Sequence, residues 1–345
     1  MLHVGIIGCG KIAQVRHLPE YAANPHVKIA GLYDINADRT REIAKQYKAH
    51  AYPSYQQLLD DPKIDAVSVC AANNSHAEIT CAALKAGKHV LCEKPMATTL
   101  ADCESMVAVA KRHDRYLMVD QNQRLAPAHV KAHELVQGGA IGRVLTFRTT
   151  FGHSGPENWT VDPGKTIWFF DKMRASMGVL ADLGIHKTDL IQYLTGQTVI
   201  ETTARLCTLD KKTDEGDLID VDDNAICIYR LDGGVTGTMT ASWTYYGGKE
   251  DNSTILYGTE GVLRIYDDPA HPLVLVHRDG AREEFDVGEI QTNAKQTKSG
   301  VIDLFVRCLE EGLQEMSGES VLKAMRAVFA SIESSEKGRT IKVNQ

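Results

Sequence analysis

The sequence predicts an α/β protein of two domains. A doubly wound parallel sheet is expected at residues 1–122, and an α+β domain with an open, mainly antiparallel sheet at 123–345. Three observations predict this. The chain has 345 residues, more than one ordinary core organises. Over residues 1–121, near-continuous apolar strands alternate with helical patterns, which implies a sheet covered on both faces. From 199 to 287 the chain is mostly strand. Its clearest stretch, "VTGTMTASWT" (235–244), puts Val235, Gly237, Met239, Ala241 and Trp243 on one side and hydroxyl side chains on the other, as expected of a sheet with two different faces.

The first domain opens with the strand "HVGIIG" (3–8) and a helix from about Lys11 to Ala23. "VKIAGLYD" (27–34) leads to a helix over 37–47, "AVSVCAA" (66–72) to one over 76–86, and "HVLCEKP" (89–95) to one over 99–112. "YLMVDQ" (116–121) closes the series. After Pro127 a helix is expected to Gln137, then a strand "RVLTFRTTF" (143–151) and a helix over roughly 176–195. Helices at about 297–313 and 319–335 end the fold. They can cover one face of the second sheet, and the other face needs solvent or a second subunit.

Composition narrows the function. Net charge is −7 with no long Lys/Arg cluster, which argues against nucleic acid or an anionic membrane as partner. No apolar run is long enough to span a bilayer, and "MLHVGIIGCG" reads as a buried strand rather than a signal peptide. The eight Cys form no C-x-x-C pair, so free thiols in a reducing cytoplasm are expected, with neither a disulfide framework nor a structural zinc.

"GIIGCGKIA" contains Gly8-x-Gly10-x-x-Ala13 between a strand and a helix, the context that makes this spacing a dinucleotide signal. Gly8 permits the tight turn, Gly10 lets the backbone approach a pyrophosphate, and Ala13 lets helix and strand pack closely. Lys11 and Ile12 open the helix whose N-terminus faces the anion. Asp34, at the end of the next strand, is placed to accept from both hydroxyls of a ribose and to repel a 2′-phosphate. NAD is therefore expected over NADP, with Arg39 too far along the chain to count strongly. Polar residues gather at the other strand ends: "AANNSH" (71–76), "CEKPM" (92–96) and "DQNQR" (120–124). Pro95 holds Lys94 out of the helical region, so Glu93 and Lys94 sit at the rim. In "ADLGIHKTDLIQYL" (181–194), Asp182 and His186 stand four apart on one helical face, as either a structural polar pair or a piece of chemistry. They lack a third ligand at a suitable spacing, so no metal is expected.

The N-terminal G-x-G-x-x-A, a Glu-Lys-Pro after a later strand, and Asp-x-Gly-x-His-x-x-Asp on a second-domain helix together resemble the glucose–fructose oxidoreductase / inositol dehydrogenase / rhizopine-catabolism (Gfo/Idh/MocA) family of NAD(P)-dependent oxidoreductases. The resemblance runs nearly to the end of the chain and implies a sugar, sugar-derivative or cyclitol substrate and a homodimer or homotetramer assembled through the C-terminal sheet. It implies that Lys94 is the catalytic lysine, that Asp182 and His186 are its partners, and that Asn73 and His76, with Ala71 before them, line the cofactor. It also implies that Asn122 and Arg124 follow the last strand as site residues, and that His153 and "GPENW" (155–159), with Trp159, form a substrate wall. This chain departs from the family in Ala71-Ala72, where Thr-Pro is usual, and in "ASMG" (175–178), where the approach to the Asp is usually Gly-rich.

A neutral imidazole suits proton removal from a secondary alcohol, so His186 is the expected base. Lys94 would stabilise the developing alkoxide, and Asp182 would bind a neighbouring hydroxyl or tune the other two. The roles of Lys94 and His186 could be exchanged. Asp189 could orient His186 or be a surface acid, and Trp168, Phe169 and Phe170 are read as core in preference to a lid. Two other readings stay open: a glycosidase that oxidises its substrate transiently, and a dinucleotide sensor without turnover.

Overall fold

The structure, a computed structural model, describes residues 1–157, 159–161, 167–288 and 298–344. Its first sheet contains β1 (Leu2–Ile7), β2 (Val27–Tyr33), β3 (His50–Ala51), β4 (Ala66–Val69), β5 (His89–Cys92) and β6 (Leu117–Val119). All are parallel, in the order β3-β2-β1-β4-β5-β6. The order reverses between β1 and β4, and a crevice outside the carboxyl ends of strands at such a point is where ligands bind. Strands β4 and β6 are buried at every residue, as both-face coverage requires. The covering helices are α1 (Leu18–Ala23), α2 (Ala37–Tyr47), α3 (Tyr55–Asp60), α4 (His76–Lys85) and α5 (Leu100–Arg112). Their starts follow from local chemistry: Asn36, Ser54 and Thr99 each accept a backbone N–H of the helix they precede. The short β3 and α3 carry too little periodicity to be read from the sequence, which treats 48–65 as a connection.

Among the described residues the second sheet has nine strands in the order β14-β13-β12-β11-β7-β10-β9-β8-β15. They are β7 (Val144–Gly152), β8 (Val199–Cys207), β9 (Asn224–Leu231), β10 (Thr236–Ser242), β11 (Thr254–Gly258), β12 (Gly261–Ile265), β13 (Leu273–His277), β14 (Arg282–Phe285) and β15 (Ile341–Lys342). Every pairing is antiparallel except β7 with β10, so the alternation in 235–244 gives the two faces correctly while the central pair runs parallel. Val235, Met239, Ala241 and Trp243 are buried, as the alternation predicts, on the sheet face covered by the turn Leu180–Gly184 and the helices α8 (Ile185–Thr195) and α10 (Gly318–Lys337), which lie over β10, β7 and β8 respectively. On the opposite face Leu145, Ile226 and Ile228 are exposed.

The remaining helices are α6 (Pro127–Gln137), α7 (Lys172–Ala175) and α9 (Val301–Glu311). The expected start of α9 near 297 lies outside the described residues, as does Asn158. The C-terminal helices return to the first sheet: Val119 donates to the Met316 carbonyl at 3.0 Å, and Asn24 donates to Asp303 at 2.8 Å. All eight cysteines are free.

Candidate active site

A cavity of about 990 Å³ runs from the β1 turn to the second sheet. Its floor is the glycine turn. Gly8 takes φ 94°, and a Cβ there would stand 2.6 Å from the Cys70 carbonyl, so glycine is needed for both reasons. Gly10 is open, with nothing within 4 Å of an added Cβ, and it lines the cavity with Lys11 and Ile12. The helix from Lys11 to Ala23 contains a π-helical turn over Ala13–His17, a feature frequent at functional sites.

Asp34 ends β2 and lines the cavity. Its Oδ2 accepts the Cys9 N–H at 2.7 Å and its Oδ1 the Asn36 N–H at 2.8 Å, so the carboxylate is fixed before any ligand arrives. The guanidinium of Arg39 lies 3.4 Å from Oδ1 and also lines the cavity. Arg39 is distant from Asp34 along the chain, but the first turn of α2 brings it back to the acid.

The ends of β4 and β5 are tied together. His76 is buried between two carbonyls, with Nδ1 2.8 Å from Pro95 O and Nε2 3.0 Å from Ala71 O. Burial holds its imidazole below the ordinary range. Asn73 donates to the Ala175 carbonyl at 3.2 Å, joining the first sheet to the approach of the helix that carries Asp182. Glu93 turns inward: Oε1 lies 3.0 Å from Nε2 of buried His17, and Oε2 accepts the Lys94 N–H at 3.1 Å. Burial alone would raise its carboxyl, but the hydrogen bond and charge of His17 outweigh it and hold Glu93 down at about 2. Neighbouring Asp120 is pushed up to about 7 by burial and by the Glu93 charge.

The helix carrying Asp182 and His186 begins at Val179, later than the expected 176, and has a π-helical turn over Leu180–Gly184 before α8. Its start is capped from the connection just before β9, where Asp222 accepts Gly178 N–H at 2.9 Å and Leu180 N–H at 2.8 Å. Gly178 must be glycine, since a Cβ would meet the Asp222 carbonyl at 1.9 Å. Ser176 stands at φ 66° in the left-handed region, where a Gly-rich approach would relax the backbone.

Lys94 reaches this helix. Its Nζ donates to Asp182 Oδ1 at 2.6 Å and to the Asp182 carbonyl at 3.1 Å. An ammonium has three donors, so one is left for the cavity that Lys94 lines. Asp182 Oδ2 accepts from Trp243 Nε1 at 3.0 Å. Burial would raise the Asp182 carboxyl, but Lys94 and His153 outweigh it and keep the group ionised. His186 Nδ1 donates to Gln121 Oε1 at 3.1 Å, which leaves Nε2 with its lone pair. Burial first and the Lys94 charge second hold His186 well below the ordinary imidazole range. Lys94, Asp182 and His186 thus line one cavity: a held cation, a fixed carboxylate and a neutral imidazole.

His153 and Trp159 line the same end. His153 Nδ1 accepts the Gly155 N–H at 2.9 Å, so its Nε2 carries the proton. Trp159 Nε1 is buried without a partner among the described residues. Trp168 and Phe169 stack on each other, with centroids 4.0 Å apart, and line the cavity half-buried, while Phe169 and Phe170 pack on the core through Trp243, as the core reading expects. Asn122 lines the cavity, but Arg124 does not. Arg124 forms a fork with buried Asp189, Nε to Oδ2 at 2.6 Å and Nη2 to Oδ1 at 2.5 Å, and lies over the Tyr193 ring. The same pair takes Asp189 out of contact with His186. Sequence reasoning assigned no role to Gln121, Trp243 and Asp222, although Trp243 sits on the correctly read inner side of β10.

Family comparisons identify the two domains. The model described as "Oxidoreductase family, NAD-binding Rossmann fold" matches residues 2–121, and the GFO/IDH/MocA C-terminal domain matches 129–264. Myo-inositol 2-dehydrogenase of Thermotoga maritima is 28% identical over 100% of this chain and 99% of its own length. Levoglucosan dehydrogenase of Pseudarthrobacter phenanthrenivorans is 29% identical over 76% of this chain and 73% of its own. A solved levoglucosan dehydrogenase in complex with NADH and levoglucosan superposes with a TM-score of 0.86 at 26% identity, covering 100% of this chain and 99% of that one.

Proposed function

This chain belongs to the Gfo/Idh/MocA family of NAD-binding oxidoreductases, and from that premise we infer that it is an NAD(H)-dependent dehydrogenase or reductase acting on a secondary alcohol or ketone of a sugar, sugar derivative or cyclitol. The observation that carries the reading is the meeting of Lys94, Asp182 and His186 in a cavity whose other end is the glycine turn. The residues fit the cofactor: an open Gly10, a helix start and a pre-set Asp34 suit a pyrophosphate and an adenosine ribose. Gly8, Gly10, Lys11, Ile12 and Asp34 would hold that end, with Ala71, Asn73, His76, Glu93 and Asn122 along the rest. When bound, the nicotinamide supplies the site for hydride transfer.

His186 Nε2 takes the hydroxyl proton, and the third N–H of Lys94 steadies the oxygen as charge develops. Asp182 holds Lys94 and balances its charge. A base that remains neutral far below the ordinary range gives an expected pH profile. The value of kcat/KM for oxidation should stay level as pH falls through 6.5, the ordinary imidazole value, and drop only below it. An acid limb centred at 6.5 would instead point to a different base.

NAD is the proposed preference over NADP, supported by Asp34 at the ribose corner, with Arg39 beside it narrowing the margin. The exposed face of the second sheet, with Leu145, Ile226 and Ile228, supports assembly as a homodimer or homotetramer. Val119, the end of the last parallel strand, supports a domain boundary near residue 122. The deciding experiment is a panel of cyclitols and sugars assayed with NAD and NADP separately by NADH or NADPH absorbance. Turnover with NAD, strongly reduced by Lys94→Ala, is expected; no turnover of any member would refute the reading.

A further inference from the structure

The wall beyond the reacting set is built by the connection between β10 and β11. Glu250 and Asn252 both line the cavity there. Asn252 is only 4% exposed, and its Oδ1 is buried with no hydrogen-bond partner among the described residues. Its Nδ2 donates to Glu250 Oε1 at 3.4 Å. A buried amide oxygen without a donor carries a real cost, so it calls for a ligand that donates.

Behind this wall lies a buried cation that the reaction does not use. Lys187 follows His186 on α8 and is fully buried. Its Nζ donates to the Asn252 carbonyl at 2.9 Å and to Thr254 Oγ1 at 3.4 Å. Lys187 pins the backbone of Asn252 to the helix that carries Asp182 and His186. It also faces Glu250 and Asp251, whose charges favour its ammonium, while burial pulls it down to about 7. Burial raises the Glu250 carboxyl, and Lys187 opposes that. Lys187 thus offsets part of the charge of Glu250 from behind, while burial still leaves the carboxyl raised. Asn252 Oδ1 and the Glu250 carboxylate are both acceptors, and a neutral partner with two donors is a pair of hydroxyls.

We propose that Glu250 and Asn252 form a polyol subsite that accepts from substrate hydroxyls other than the one oxidised, and so selects which carbon is presented to Lys94 and His186. This deepens the oxidoreductase reading and rests on it. No covalent step is involved: the subsite binds and orients.

The test compares wild type with Glu250→Gln and Asn252→Ser. The substrate is the best-used of myo-inositol, levoglucosan and D-apiose, assayed together with its monodeoxy derivatives. NADH affinity, read by fluorescence titration, serves as the control for folding. Each variant should raise KM by about 10- to 100-fold with kcat within about threefold, the pattern of lost ground-state binding. NADH affinity should not change. One monodeoxy derivative should be penalised in wild type and no longer penalised in Glu250→Gln. Unchanged KM and unchanged discrimination in both variants, with wild-type turnover intact, would overturn the subsite alone. Preference of wild type for D-glucosamine over its hydroxyl counterpart would overturn the assignment to hydroxyls. If wild type oxidises none of the polyols, the reading beneath the subsite falls and takes the subsite with it.

Discussion

At one end of the cavity Asp34 meets the Cys9 amide across 25 residues; at the other, Lys94 meets Asp182 across 88, and Trp243 meets the same acid across 61. The cofactor end is one βαβ unit. Its glycines and its acid are placed by a turn and two neighbouring parallel strands, so changing one part alters a local piece of backbone. The chemical end is assembled from both sheets. Its groups are held by one another: Glu93 holds the Lys94 backbone, Asp182 the Lys94 ammonium, Gln121 the His186 tautomer, and Trp243 and Asp222 the acid and its helix. The local end should therefore fail through binding and folding, and the assembled end through rate.

The largest expected effect is at the assembled end. Lys94→Ala should lower kcat/KM by about 10³-fold, the scale of losing a donor at a developing oxyanion, while NADH still binds. Loss of NADH binding in that variant would blur the distinction between the two ends.

Next is the local end. Gly8→Ala forces a Cβ to 2.6 Å from the Cys70 carbonyl at φ 94°, and should cost about 2–3 kcal/mol of stability in denaturant unfolding. NADH affinity should fall with it. A variant of full stability and unchanged affinity would contradict the account of the turn.

This division also decides what the sequence made legible. Gly8, Gly10, Ala13 and Asp34 could be read because strand, turn and acid lie within a single unit. Lys94 and His186 could be found as candidates because one ends a strand and the other lies on a helix with a distinctive spacing. Their partners could not, because a contact across the chain leaves no periodic trace. Arg124 and Asp189 illustrate the limit. Each stands beside a site residue in sequence, yet across 65 residues they pair with each other and leave the cavity. Trp243 was legible as an inward side chain but not as the donor to Asp182. The parallel pairing of β7 with β10 among the described strands of the second sheet was equally out of reach, because alternation reports faces and not strand direction.

A smaller effect sharpens the comparison. Trp243→Phe keeps the ring in the core and removes only the hydrogen bond to Asp182 Oδ2. It should lower kcat by about tenfold, as for a support to a reacting group, with little change in stability. A loss of stability without a change in kcat would make Trp243 a packing residue only.

The smallest effect is read as pH dependence. Asp120 holds its proton in the fold up to about 7, against 3.8 for a free aspartate. Its contribution is fully present below 3.8, where folded and unfolded chains both carry the proton, and is lost as pH rises to about 7. Asp120→Asn stays neutral throughout, so the melting temperature of wild type should fall relative to the variant between pH 4 and 7. Parallel melting curves across that window would show that the buried acid is ionised.

Whether the chemical end works as one unit is tested most directly by a double-mutant cycle. The kcat/KM of NAD-dependent polyol oxidation is measured for wild type, Lys94→Ala, His186→Asn and the double variant. If ammonium and imidazole act on the same alcohol oxygen, the double variant loses little more than the worse single one. Losses that multiply in full would contradict it and leave the two groups as independent contributors.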